Sequence, residues 1–255
     1  AARHPQGLMV VMPSDQHVAN PARFQQAVVA ALEVARGGQI VTLGIKPTRP
    51  ETGYGYVQVG APLEPPAAKV ARFVEKPDLQ TAQQYLSRGD YLWNAGIFIF
   101  RVDVMLEAFA VLMPELSAAV ERIRKAVGTG KYAAAVKKYF PQMPAISIDY
   151  AVAEKAANIA VVPADCGWSD VGSFSALPEL RPLDPAGNVV EGNALVIDTT
   201  GSLVLAQKRP LAVVGMKDVA VIDAGDAVLV LPIAKAQDVR KVVEALKAAG
   251  LDRYL

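Results

Sequence analysis

The chain has 255 residues, 52% of them hydrophobic and 20% charged, enough apolar material for a real core in one large domain or one and a half. Lys and Arg total 26 against 25 Asp and Glu, so a net charge of +1 offers no basic field to hold nucleic acid by counterion release. The single Cys166 excludes an internal disulfide and suits a reducing cytoplasm, while neither the first five residues nor the longest apolar run, Ala227 to Ala234, has the length of a signal peptide core or a bilayer span, so no membrane partner is expected.

Met9 to Met12 reads as a strand that runs into Pro13-Ser14-Asp15. Ala22 to Arg36 then places Phe24, Ala27, Val28, Ala31, Leu32 and Ala35 at helical spacing, and Gly37-Gly38 stops it. Gln39 to Ile45 is the next strand, followed by a loop from Lys46 to Tyr56 in which Gly53 and Gly55 permit close approach of a ligand. Ala68 to Val74 alternates as a half-buried strand and ends on Glu75-Lys76-Pro77, where proline closes the regular structure. A helix over Leu79 to Leu86 leads into Tyr91 to Phe100, a strand apolar on both faces except for Asn94. Helical patterns follow over Val102 to Leu112, Glu115 to Val127 and Lys131 to Tyr139, and Ile146 to Tyr150 opens another, with Asp149 near its first turn. Ile159 to Pro163 is again a buried strand, running on toward Trp168-Ser169-Asp170-Val171-Gly172-Ser173.

Beyond Pro182 the texture changes to short β runs over Ala194 to Asp198, Ser202 to Leu205, Leu211 to Val214, Val219 to Ile222 and Ala227 to Leu231, parted by turn signals. An amphipathic helix from Ala236 to Ala249, capped by Gly250, is expected to pack back on them. This module with its helix also offers a surface for a homodimer.

The polar residues suggest chemistry. Asp15 and Asp170 each follow an apolar strand, and two carboxylates brought to one sheet edge suit Mg²⁺, which prefers carboxylates plus substrate phosphates and retained waters. Taken singly, either aspartate is equally an ordinary helix or turn cap. Asn94 inside an apolar strand needs a hydrogen-bond partner, since an unpaired buried amide costs about 1–3 kcal/mol. A sugar hydroxyl or a backbone carbonyl would serve. Carboxylate, ammonium, amide and glycine turn together match what a phosphorylated sugar asks of its site. Cys166 beside Gly167 and Trp168 reads as packing, and His4 and His17 read as surface residues.

Phe73-Val74-Glu75-Lys76-Pro77, Trp93-Asn94-Ala95-Gly96-Ile97-Phe98, Ser147-Ile148-Asp149-Tyr150-Ala151-Val152-Ala153-Glu154-Lys155 and Trp168-Ser169-Asp170-Val171-Gly172-Ser173, together with the Met12-Pro13-Ser14-Asp15 turn, closely resemble the sugar-nucleotide pyrophosphorylases from about residue 8 to the C-terminus. The resemblance implies an α/β nucleotide-diphospho-sugar transferase fold, Rossmann-like with a mixed sheet and flanking helices. It divides the chain into a partial nucleotidyltransferase domain, 1–182, and a C-terminal β module with its closing helix, 183–255. It implies GTP and mannose 1-phosphate as partners, GDP-mannose for polysaccharide synthesis as product, and Mg²⁺ as cofactor. Carried over by motif, Asp15 and Asp170 resemble the metal ligands and Lys76 the ammonium on the sugar phosphate. Glu75 and Asn94 resemble the residues that fix mannose hydroxyls, and Gly55 the glycine whose backbone lies along the sugar. Asp149 orients Lys76 or the sugar, or else caps a helix.

The pattern departs from the family at its start. Members carry a Gly-rich turn, an Arg and a Pro-Lys pair that cradle the triphosphate, and no such segment precedes the Asp15 strand. The chain therefore reads as lacking the fold's first elements, with lower stability and in doubt as an active enzyme by itself. Two alternatives stay open: a catalytically silent sugar-phosphate binding or regulatory subunit, and a related pyrophosphorylase using glucose 1-phosphate with UTP or dTTP.

Overall fold

The computed structural model describes residues 4–255, and the chain divides after Asp170 into two compact units. The first is built on a six-stranded mixed sheet in the order β1, β6, β3, β7, β5, β4, where β1 is Leu8–Val11, β3 Ile40–Ile45, β4 Tyr56–Pro62, β5 Ala68–Val74, β6 Tyr91–Arg101 and β7 Ile159–Pro163. β3 and β7 run parallel, while β6 is antiparallel to β1, β3 and β4. A two-stranded ribbon, β2 His17–Val18 with β8 Trp168–Ser169, completes the β structure of this unit.

Helix α1, Pro21–Arg36, starts where Asn20 accepts a hydrogen bond from the Arg23 N–H at 3.0 Å and Pro21 supplies a fixed φ. Its small residues Ala27, Ala31 and Ala35 recur at one turn's spacing, so the helix lies close against Val41, Leu43, Ile97, Ile99 and Val162 on one face of the sheet. The alternate residues Ile40, Val57, Phe98, Phe100 and Val161 point to the other face. There they meet Met105 of α3, Val102–Leu112, and Val152 of a π-helical turn over Asp149–Ala153. Helix α2, Leu79–Arg88, is capped by Asp78 and ended by Gly89 at φ 73°. Helices α4, Pro114–Arg124, and α5, Tyr132–Tyr139, follow α3 in chain order.

The expected elements recur with two corrections in this unit. The loop placed over Lys46 to Tyr56 gives way at its end to β4, a strand for which no expectation was stated. The helix expected to Val127 stops at Arg124.

The second unit begins with a short helix α6, Leu177–Leu180, and stacks β9, Val189–Ile197, β10, Leu203–Val214, and β11, Val219–Asp223, in parallel, with β12, Val228–Pro232, antiparallel at the end. Two expected strands, Ser202 to Leu205 and Leu211 to Val214, are one strand, whose register against β9 slips between Ala206 and Leu211 around Pro210. Parallel stacking needs close backbones: a Cβ on Gly192 would stand 1.9 Å from the Ala206 carbonyl oxygen. The closing helix α7, Val239–Ala248, corrects a second expectation, because none of its residues is buried. Phe174, Leu177 and Ile233 cover Val189, Leu203 and Ala220 instead. Val239 and Val243 of α7 line, with Phe174 and Leu177, a cleft of about 640 Å³.

Candidate active site

The first unit gathers its polar motifs around a small cleft of about 130 Å³ whose lining includes Gln16, Tyr54, Gly55, Glu75, Asn94 and Asp170. Its back wall is a break in β6. Thr42 pairs with Phe98 but Gly44 with Asn94, so β6 bulges through Gly96 at φ 68°. The bulge turns Asn94 inward. Its Oδ1 accepts from the Thr42 hydroxyl at 2.6 Å and from the Gly96 N–H at 3.1 Å, while its Nδ2 donates to Asp149 Oδ1 at 3.0 Å. The partners that Asn94 requires are thus a hydroxyl, an amide and a carboxylate of the protein itself. Asp149 opens the π-helical turn with Ile148, not Asp149, at the cap position, and its side chain serves Asn94.

Glu75 follows β5 with its side chain only 8% exposed. Its Oε1 lies 2.9 Å from the Lys76 ammonium, whereas its Oε2 is buried with no hydrogen-bond partner. Burial raises the Glu75 carboxyl above its ordinary pKa, and the nearby Asp149 adds to this against the pull of Lys76. The hydrogen bond to Glu75 in turn raises the Lys76 ammonium, which keeps its charge through neutral pH. Lys76 holds φ at 48°, a conformation costly outside glycine, fixed by a hydrogen bond from its N–H to the Tyr54 carbonyl at 3.2 Å. Gly55 lies between these groups: its carbonyl accepts from the Asn94 N–H at 2.8 Å, and a Cβ there would meet Glu75 Oε2 at 2.4 Å.

The two aspartates reach this region on the β2–β8 ribbon. His17 pairs with Ser169 and Val18 with Trp168, and Asp15 precedes β2 as Asp170 follows β8, so antiparallel register brings both out at the same end. Asp15 is exposed and stands outside the cleft lining; Asp170 is half-buried within it, its Oδ1 accepting from the Tyr54 hydroxyl at 2.7 Å. Burial and that bond to Asp170 push the Tyr54 phenol far above its usual range.

Gly55, Glu75, Asn94, Asp149 and Asp170 therefore share one cleft, Lys76 joins it through Glu75, and Asp15 through the ribbon. Sequence reasoning passed over Gln16, Tyr54, Thr42 and Glu154. Gln16 donates from Nε2 to the Ala95 carbonyl at 2.8 Å and accepts from Trp168 Nε1 at 2.9 Å, tying the ribbon to the β6 bulge. Glu154 accepts from the Glu75 N–H at 3.1 Å. A signal existed for Thr42, a hydroxyl in an otherwise apolar strand, and for Tyr54, an aromatic alcohol held between Gly53 and Gly55.

Residues 1–185 match the family described as Nucleotidyl transferase, and residues 192–246 match the MannoseP isomerase/GMP-like beta-helix domain. The chain is 43% identical over 247 residues to the Xanthan biosynthesis protein XanB of Xanthomonas campestris pv. campestris (strain B100). It is 42% identical over 248 residues to the Mannose-1-phosphate guanylyltransferase ManC of Salmonella typhimurium (strain LT2). Each alignment covers 95% of this chain and 52% of the relative, so the chain spans about half the length of the curated relatives it matches. A crystal structure from Thermus thermophilus, described as mannose-1-phosphate geranyltransferase, superposes with a TM-score of 0.83 at 37% identity, covering 94% of this chain and 70% of that one.

Proposed function

The chain belongs to the nucleotidyl transferase family, and from that premise we propose that it makes GDP-mannose and pyrophosphate from GTP and mannose 1-phosphate. The observation that carries this reading is the Glu75–Lys76 pair: a buried carboxylate oxygen lacking a donor, beside an ammonium, on a cleft closed by Gly55 and Asn94. A buried acceptor left unsatisfied costs about 1–3 kcal/mol, which a substrate hydroxyl would recover. The relatives' names support the choice of sugar, and a relative named for xanthan biosynthesis supports polysaccharide assembly as the product's destination.

In the reaction, a phosphate oxygen of mannose 1-phosphate attacks the α-phosphorus of GTP in line. The new P–O bond forms as the bond to the β-phosphate's bridging oxygen breaks, and pyrophosphate leaves with that electron pair. The attacking oxygen is already anionic, so no general base is needed. Alignment supplies much of the rate. Lys76 holds the sugar phosphate, Glu75 Oε2 accepts a hydrogen bond from a mannose hydroxyl, and the second N–H of Asn94 Nδ2 is directed to another hydroxyl. Thr42 and Asp149 hold the amide in the one orientation that allows this.

Asp15 and Asp170 fit a hard divalent cation: they are oxygen donors only, and two of them emerge at one ribbon end, leaving phosphate and water to complete the shell that Mg²⁺ prefers. When bound, Mg²⁺ supplies charge neutralisation between the two phosphates.

The test is pyrophosphate release with GTP, mannose 1-phosphate and MgCl₂. Release that requires both substrates and is matched by GDP-mannose is expected. Mannose 1-phosphate binding without any release would refute nucleotidyl transfer and leave a sugar-phosphate binding subunit in its place.

A further inference from the structure

Tyr54 has no part in the chemistry above, yet it meets each element of the site. Its carbonyl accepts the Lys76 N–H at 3.2 Å, and the next carbonyl, that of Gly55, accepts the Asn94 N–H at 2.8 Å. Tyr54 is 8% exposed, its ring set edge-on between Trp93 and Trp168, with centroids 5.1 and 5.4 Å away. With the backbone tied to two motifs and the ring held by two indoles, the hydroxyl has one place to go. That place is Asp170 Oδ1, at 2.7 Å.

That bond reaches the carboxylate directly, where the strand leading to Asp170 does not. Asp170 sits at the end of a strand of two residues, in a ribbon whose own register comprises two pairs, and so short a ladder fixes a side chain weakly. Gln16 anchors the same ribbon through Trp168 and Ala95, but its bonds stop at the indole and do not touch the carboxylate. We propose that Tyr54 is a positioning residue that presents the Asp170 carboxylate to the divalent cation and so couples the metal to the sugar-phosphate cradle through one rigid side chain. The proposal rests on the assignment of Asp170 as a metal ligand made above.

The experiment measures binding of Mn²⁺, a paramagnetic probe for Mg²⁺, to the full chain by electron spin resonance, in wild type, Tyr54→Phe, Asp170→Asn and the double variant. Outer partners of a ligating carboxylate orient it, and their loss weakens metal binding by about 10- to 100-fold. Tyr54→Phe is therefore expected to weaken Mn²⁺ about tenfold. Asp170→Asn should weaken it further, and the double variant no more than Asp170→Asn alone, because the hydroxyl acts only through that carboxylate. Affinity for mannose 1-phosphate without metal should stay within about threefold in Tyr54→Phe, a split that general loss of packing would not produce. Wild-type Mn²⁺ affinity in Tyr54→Phe, or losses that multiply in the double variant, overturns the proposal. So does a Tyr54→Phe protein whose tryptophan emission has shifted along with its Mn²⁺ affinity, since the loss would then belong to packing around Trp93 and Trp168. If Asp170→Asn binds Mn²⁺ like wild type, the metal assignment itself fails; if Asp170→Asn loses binding while Tyr54→Phe keeps it, only the role of Tyr54 does.

Discussion

A Cβ at position 55 would stand 2.4 Å from Glu75 Oε2 and 3.3 Å from Asn94 Cβ, so the approach of these two side chains to one cleft depends on glycine. Glu75 is the atom group that must move, because Asn94 is held by three protein partners and the Glu75 Oε2 by none. Gly55→Ala should displace the carboxylate and weaken mannose 1-phosphate by about tenfold, or about 1.4 kcal/mol, in a calorimetric titration. Unchanged affinity would remove Glu75 from the sugar site. At this scale the residue types were legible and their partners were not. An Asn in an apolar strand announces a buried network, but whether its partners are ligand or protein depends on Thr42 and Asp149, which lie 52 and 55 residues away in the chain. Likewise Asp170 reads as a carboxylate after a strand, while the phenol 116 residues before it that holds it becomes visible only in the fold.

Among the elements, the β9–β12 stack depends on a buried charge. Asp223, at the end of β11, is 3% exposed and accepts from Arg209 Nη2 at 2.9 Å and from the backbone N–H groups of Lys208, Arg209 and Gly225. The Arg209 hydrogen bonds and these amides hold its carboxyl well below the ordinary value of 3.8. A group whose folded-state pKa is depressed contributes stability that is fully present above the unfolded value and is lost as pH falls through the folded one. Asp223→Asn should therefore lower the melting temperature at pH 7 by several degrees, and its deficit against wild type should shrink on acidification below 3.8. A deficit that stays constant down to pH 2 would deny the carboxylate this role. Long periodic elements such as α1, β6 and α3 were readable from their spacing, because burial against one sheet imposes that spacing. β4 was not: Gly60 and Pro62 carry turn chemistry, and pairing with β5 and β6 overrides it. The runs expected separately over Ser202 to Leu205 and Leu211 to Val214 join as one strand, because a bulge lets it continue through Pro210. The amphipathic pattern of α7 says that one face is apolar and not what covers it; Phe174, Leu177 and Ile233 had already filled the position on the strands.

At the scale of the whole molecule, the first unit joins five stretches of chain, around residues 15, 55, 75, 94 and 170, at one region of a single sheet and its ribbon. β6 organises this. It pairs with β1, β3 and β4, carries Asn94, and bulges to give Gln16 the Ala95 carbonyl. The second unit stacks parallel strands, and its 640 Å³ cleft is lined mainly by apolar residues with Gln237, Arg240, Glu244 and Lys247, none of these four among the buried polar residues, whereas Asn94 of the first cleft is buried and hydrogen-bonded to Thr42 and Asp149. The chemistry is accordingly assigned to the first unit, and the fold of that unit was legible from its alternating strands and helices because a mixed sheet with covered faces demands that order. What composition and periodicity left open is whether Asp15 and Asp170 meet; a ribbon of only two residue pairs brings them out at one end.

That meeting is the central claim, and phosphorus magnetic resonance of mannose 1-phosphate in the presence of Mn²⁺ tests it most directly. A paramagnetic ion gripped by Asp15 and Asp170 beside the Lys76 subsite must broaden the sugar-phosphate signal of the wild-type complex, and either Asp15→Asn or Asp170→Asn must restore a narrow line. Mannose 1-phosphate that binds the wild type with no broadening, or broadening that survives both substitutions, would place the metal elsewhere and contradict the account.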